Sequence, residues 1–217
     1  MFRHFFYARL EARINESYRK RLQDFGATAK GVFWRSKASQ IARFDALLGS
    51  AQRLVKKNFS IADIGCGYGA MLDFIDSTPR YFGTSYEGVD INRSMIACCK
   101  QKFPSRSNLF SHGKKPTKVV DFCGFSGTFN LTHCTKANVW QDYIFENLEN
   151  CMPYCRYGLI VNLICANEMN IHEGIFYANK TMFTKRAEFH FGRTIAMSTR
   201  HVSNDVTFLI SAPKKID

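Results

Sequence analysis

The chain has 217 residues, 46% of them hydrophobic and 22% charged, which is the make-up of one globular α/β domain large enough to bury a core without disulfides. Thirty Lys+Arg against 18 Asp+Glu give a formal net charge of +12, which favours anionic partners over cationic ones. No apolar run approaches the ~20 residues of a membrane span, and the run Phe5-Phe6-Tyr7-Ala8 is too short for a secretion signal, so a cytoplasmic protein is expected.

In chain order, residues 2–24 read as an amphipathic helix, with Phe6, Leu10, Ile14, Tyr18 and Leu22 on one stripe and a stop at Gly26. A second helix is expected over 36–55, burying Ile41, Phe44, Leu47, Leu48 and Leu54. These two helices form an N-terminal appendage, 1–57, before the main domain, 58–217. From residue 59 the rhythm becomes strand, turn and helix: strands at 59–64, 86–91, 108–111, 118–125 and 157–165, with helices at 70–77, 94–103 and 138–151. A helix over 180–189 and two closing strands, 193–201 and 205–212, complete a doubly wound, mostly parallel sheet. A tight turn joins the last two strands, so one of them runs antiparallel to its neighbour. The eight cysteines include no CxxC pair, and several lie inside apolar runs; they read as reduced core thiols, with no metal site.

Chemistry concentrates at Asp63-Ile64-Gly65-Cys66-Gly67-Tyr68-Gly69, between the first strand and its helix. Glycines there let a ligand approach the backbone at the carboxyl edge of the sheet. The spacing differs from the GxGxxG of dinucleotide sites, which seat a pyrophosphate on the helix N-terminus. Asp90 ends the second strand about twenty residues after the glycine turn, where a carboxylate accepts from ribose hydroxyls.

Together these two elements resemble the class I S-adenosylmethionine (SAM)-dependent methyltransferases. The resemblance implies a Rossmann-like, doubly wound seven-stranded sheet in the order 3-2-1-4-5-7-6, with strand seven antiparallel. It also implies SAM as methyl donor and S-adenosylhomocysteine (SAH) as product. Asp63 would help hold the SAM ammonium, and Gly65, Cys66, Gly67 and Gly69 would pass its methionine part. Asp90 would take the ribose, and Ile91 and Met95 would pack on the adenine. A narrower resemblance joins Phe33-Trp34-Arg35-Ser36-Lys37-Ala38-Ser39-Gln40 and Arg43-Phe44 to the GWxSKESQ…RF segment of a bacterial subgroup. Ser126-Gly127-Thr128-Phe129-Asn130-Leu131 looks like that subgroup's SGxFNL segment, and Val161-Asn162-Leu163 like its FNL. On that basis Trp34, Gln40 and Arg43 would close over the cofactor, Arg43 on its carboxylate. Ser126 would border the transferred methyl, and Phe129, Asn130 and Asn162 the acceptor.

Many relatives carry an Asp after strand three for the adenine; here the segment is Ser111-His112-Gly113-Lys114-Lys115, which leaves His112 or backbone groups for that contact. Methyl transfer needs a base only if the acceptor must lose a proton, and His133, His172, Glu173 and Tyr7 are the candidates. The (Asp/Asn)-Pro-Pro-(Tyr/Phe) segment of amino-directed DNA methyltransferases and the Pro-Cys of cytosine-C5 enzymes are both missing after strand four. The leading expectation is therefore a small-molecule acceptor with an N- or O-nucleophile, an acidic or phosphorylated one suiting the charge. An RNA or protein methyltransferase docking substrate on its basic N-terminal helices is one alternative; a non-catalytic SAM-binding protein is another.

Overall fold

The computed structural model describes residues 2–56, 58–199 and 202–213. It opens with two helices, α1 (Phe2–Phe25) and α2 (Lys37–Leu54), then alternates β1 (Ser60–Ile64), α3 (Ala70–Ser77), β2 (Ser85–Asp90), α4 (Arg93–Lys102), β3 (Phe110–His112), β4 (Val120–Ser126) and α5 (Ala137–Cys151). The second half holds β5 (Cys155–Ala166), β6 (Asn170–His172), β7 (Ile175–Asn179), α6 (Lys180–Phe191), β8 (Thr194–Ser198) and β9 (Asp205–Ser211). Boundaries follow local chemistry. Gly26 ends α1 at φ 65, a conformation that costs glycine little. The side chains of Ser36, Asn92 and Asn179 accept backbone N–H groups at the starts of α2, α4 and α6.

Among the described residues nine strands make the sheet, not the seven expected. The path β3-β2-β1-β4-β5 is parallel; β9 pairs antiparallel with β5 and carries β8 antiparallel on its far side. The additional pair is the β6–β7 hairpin, whose second strand runs parallel to the last residues of β5, Cys165 opposite Ala178 and Ala166 opposite Asn179. A three-residue strand is too short to show a period, and the sequence pattern assigns no element over 166–179. The closing strand expected to reach residue 201 stops at Ser198; 200 and 201 lie outside the described residues.

Strand residues alternate between two cores. On one face Ile61, Phe122, Ile160 and Leu209 meet Phe44, Leu47 and Leu48 of α2, Met71 and Ile75 of α3, and Ile96 of α4. On the other, Ala62, Cys123, Phe125, Val161 and Phe208 meet Tyr7, Leu10 and Ile14 of α1, Trp140, Ile144 and Phe145 of α5, and Phe183 of α6. The N-terminal helices therefore share the cores of the sheet. Their buried faces differ from the expected stripes. Tyr7 rather than Phe6 starts the stripe of α1, Phe6 being 46% exposed, and in α2 Gln40, Arg43 and Ala51 are buried while Ile41 and Leu54 are exposed. No described helix is long and apolar enough to cross a membrane.

Candidate functional site

A cleft of about 450 Å³ opens at the carboxyl edge of β1 and β4, roofed by the N-terminal segment. Its floor is the glycine turn. Gly65, Gly67 and Gly69 take φ of 81, 54 and 76, all in the left-handed region. The N–H groups of Gly65 and Cys66 donate to Val89 O at 2.7 and 3.1 Å, which fastens the turn to β2. A Cβ on Gly65 would stand 2.7 Å from Thr128 Cγ2, and Thr128 Oγ1 donates to Ile64 O at 2.6 Å. The turn after β1 and the segment after β4 are thus fitted to each other. Cys66 is buried beside Cys99, whose thiol donates to Gly67 O at 3.0 Å; the contact with Cys99 and burial hold the Cys66 thiol far above its usual range. It is a packing thiol rather than a reactive one.

Two buried carboxylates face the cleft. Asp90 accepts from Gly67 N–H at 2.9 Å and from Asn92 N–H at 2.7 Å. Burial pushes its pKa up against those two bonds, and each oxygen keeps a lone pair for a further donor. Among the described residues Asp63 accepts only from the Tyr86 hydroxyl, at 3.0 Å. Burial, with Asp90 nearby, pushes its carboxyl up to about 7 against that bond. Neither forms an ion pair among the described residues, so both suit a ligand that brings a cation and hydroxyl donors. Met95 is buried with Val32 and Tyr68 beside Asp90, and Ile91 lines the same end of the cleft.

The roof is tied down at several points. Asn92 Nδ2 donates to Asn15 O at 3.0 Å and Asn15 Nδ2 to Ile91 O at 3.4 Å, binding α1 to the turn after β2. Tyr18 sits edge-on to Phe33 with ring centroids 5.2 Å apart, and burial and the charge of Asp90 raise its phenol pKa. Gln40 Oε1 accepts the Tyr68 hydroxyl at 2.8 Å. The Arg43 guanidinium lies 4.5 Å from the Trp34 ring centroid while its Nε pairs with Asp205. Asp205 in turn accepts from Asn162 Nδ2 and Thr199 Oγ1, both at 2.5 Å. Arg43 is thus held from behind by a buried network, and burial lowers its pKa against the pull of Asp205. Trp34 reaches Gly127, where a Cβ would stand 2.9 Å from the ring.

Beside the floor, the Ser126 hydroxyl is buried, lines the cleft and has no partner among the described residues. Asn130 also lines it, but its Oδ1 accepts from Ile164 N–H at 3.3 Å and its backbone carbonyl from Phe176 N–H at 2.8 Å. The cleft therefore gathers Asp63, Gly65, Cys66, Gly67, Asp90, Ile91, Met95, Trp34, Gln40, Arg43, Ser126 and Asn130. Gly69 lies just behind, where a Cβ would stand 2.9 Å from the Phe103 ring.

Several expected residues sit elsewhere. Phe129 points into the core, stacked on Phe125 at 5.3 Å, because the segment turns after Thr128. Asn162 is fully buried inside β5 and serves Asp205 and Thr207. His133 binds Ser17 at 2.8 Å outside the cleft, while His172 and Glu173 are exposed on the β6–β7 hairpin. Tyr7 is buried against Tyr143, ring centroids 5.0 Å apart. His112 contacts Ile91 O at 3.1 Å and, with Tyr7, lines a separate cavity on the far side of that turn. Sequence reasoning missed Asn15, Tyr18, Tyr68, Tyr177 and Asp205. Tyr68, inside the glycine turn, and Tyr18, on the apolar stripe of the first helix, carried a sequence signal.

The chain matches no known family profile. It is 26% identical over 155 residues, 70% of its length and 92% of the relative's, to the protein of Mycobacterium tuberculosis named "Putative methyltransferase Rv1506c". Among solved structures it resembles the SAM-bound amino pentose methyltransferase CalS10 of Micromonospora echinaspora, with a TM-score of 0.56 and 8% identity over 79% of this chain and 91% of that one. It also resembles the magnesium protoporphyrin IX methyltransferase of Synechocystis with bound SAH, with a TM-score of 0.51 and 12% identity over 80% of this chain and 84% of that one. The chain has the Rossmann-like α/β fold of SAM-dependent methyltransferases.

Proposed function

We propose that this chain is a SAM-dependent methyltransferase acting on a small-molecule acceptor. The observation that carries the reading is the pair of buried carboxylates, Asp63 and Asp90, without an ion pair among the described residues and lining one cleft with Gly65 and Gly67 of the glycine turn. SAM brings what those groups lack: an ammonium, a ribose diol and an uncharged path for the turn. When bound it supplies a methyl group activated by a sulfonium.

The chain's own residues bind, orient and dry the site. Asp90 accepts from the ribose hydroxyls, Asp63 from the ammonium, and Met95 with Ile91 covers the adenine. Arg43, steadied by Asp205, turns the rest of its guanidinium to the carboxylate. Ser126 supports the region of the methyl. Tyr18, Phe33 and Trp34 exclude water from above, so catalysis rests on fixed near-attack geometry. The tie between α1 and the turn after β2 favours a roof over a docking platform for RNA. The likeness to methyltransferases of an amino pentose and of a porphyrin supports a small acceptor.

Isotope-labelled SAM incubated with fractionated metabolites, RNA and protein, followed by mass spectrometry, tests the reading. A methylated metabolite is expected with wild type and markedly less of it, at SAM below saturation, with Asp90→Asn. Label entering only RNA or protein would overturn the acceptor class, and binding without turnover on any fraction would overturn catalysis.

A further inference from the structure

The half of the cleft away from Asp63 and Asp90 is built by the hairpin that the seven-stranded plan lacks. β7 alternates: Phe176 and Ala178 are fully buried in the core, while Ile175 and Tyr177 line the cleft. The hairpin is pinned in place by Thr132 N–H on Gly174 O at 2.8 Å, by Phe176 N–H on Asn130 O at 2.8 Å and by the Leu131–Ile175 bridge. Leu131, Ile164 and Val202 line the cleft with these two residues and are apolar; the polar residues lining this wall are Tyr177, Asn130 and Ser203.

The charge of the cleft is distributed unevenly. Among its described lining residues the charged ones are Asp63, Asp90, Arg43 and Arg35. The two acids lie at the glycine-turn end, Arg43 is paired with Asp205, and Arg35 is exposed at the rim. The described residues of this wall carry no charged side chain, whatever the net charge of +12. An anion seated against Leu131, Ile164 and Ile175 would lose its hydration with no cation among the described residues of that wall to replace it, a cost that an uncharged molecule does not meet.

We propose that the β6–β7 hairpin is the acceptor-selecting element, and that the acceptor is an uncharged, largely apolar molecule with a hydroxyl or similar donor–acceptor group directed at Tyr177. This rests on the cofactor reading given above and reverses the expectation of an acidic or phosphorylated acceptor.

The test uses the full chain saturated with SAH, whose own affinity is first measured by calorimetry. Three fluorescent probes of one shape are then titrated at pH 7: 2-naphthol, 2-naphthoate and 2-naphthyl phosphate. Saturable 2-naphthol binding is expected, with both anions weaker by at least about 10-fold, the scale set by desolvating an unpaired charge. Ile175→Glu should weaken 2-naphthol by about 10-fold or more and Tyr177→Phe by a smaller factor, both with SAH affinity kept within about 2-fold as the check on folding. Ile175→Ala serves the same purpose if the Glu variant does not fold. Anions binding as tightly as 2-naphthol, no 2-naphthol binding, or indifference to the Ile175 variants would overturn the proposal. Loss of SAH binding in wild type would instead sink the cofactor reading on which it stands.

Discussion

Asp63→Asn should have opposite effects on stability and on cofactor binding. In the free protein the Asp63 carboxyl is pushed from 3.8 to about 7 by burial, with one hydrogen bond from Tyr86 in compensation. Its folded pKa is raised, so between pH 4 and 7 the folded state holds more protons than the unfolded one. Stability therefore falls as pH rises through that window and is level above it. A shift of about three pH units corresponds to at most ~4 kcal/mol, at about 1.4 kcal/mol per unit. Asparagine keeps an oxygen for the Tyr86 hydroxyl and carries no charge. Denaturant unfolding should find Asp63→Asn equal to wild type near pH 4 and more stable by about 2 kcal/mol or more at pH 8. Calorimetry with SAH should find the reverse, a loss of about 10-fold or more, because the ammonium loses its counter-charge. In wild type at pH 6, binding should release a proton as the ammonium ionises Asp63, and this release should fade by pH 8. A variant equally destabilised at both pH values, or binding SAH like wild type, would refute the reasoning.

Other perturbations report on the same architecture. Gly65→Ala places a Cβ 2.7 Å from Thr128 Cγ2 at φ 81, and should cost about 1–3 kcal/mol in thermal unfolding and weaken SAH binding. Asp205→Ala leaves the Arg43 charge buried without its partner and should cost about 3 kcal/mol or more, a loss that adding Arg43→Met should partly reverse in denaturant titrations. Asn92→Ala removes the cap of α4 and the tie to Asn15 O, and should cost about 1 kcal/mol while speeding proteolysis within α1.

Much of this was legible in the sequence because local chemistry set it. Gly65, Gly67 and Gly69 take left-handed conformations, and Asp90 ends its strand beside the glycine turn, where it accepts from Gly67 N–H. What was not legible depends on tertiary return. Asp205 reaches Arg43 from 162 positions away, and nothing near either residue announces the pairing. Tyr177 lies on a hairpin whose first strand has three residues. Phe129 and Asn162 failed as acceptor contacts for a common reason. A motif fixes position along the chain, whereas the turn after Thr128 and the pleat of β5 decide which way each side chain points, and both point into packed interiors.

Whether the cleft holds SAM through Asp90 decides the proposed function. Calorimetric titration of SAH into wild type and Asp90→Asn tests it most directly. Saturable one-to-one binding to wild type is expected, with a loss of about 10-fold or more in the variant, since the ribose hydroxyls lose their charged acceptor. No binding to wild type, or equal binding to both, would contradict it.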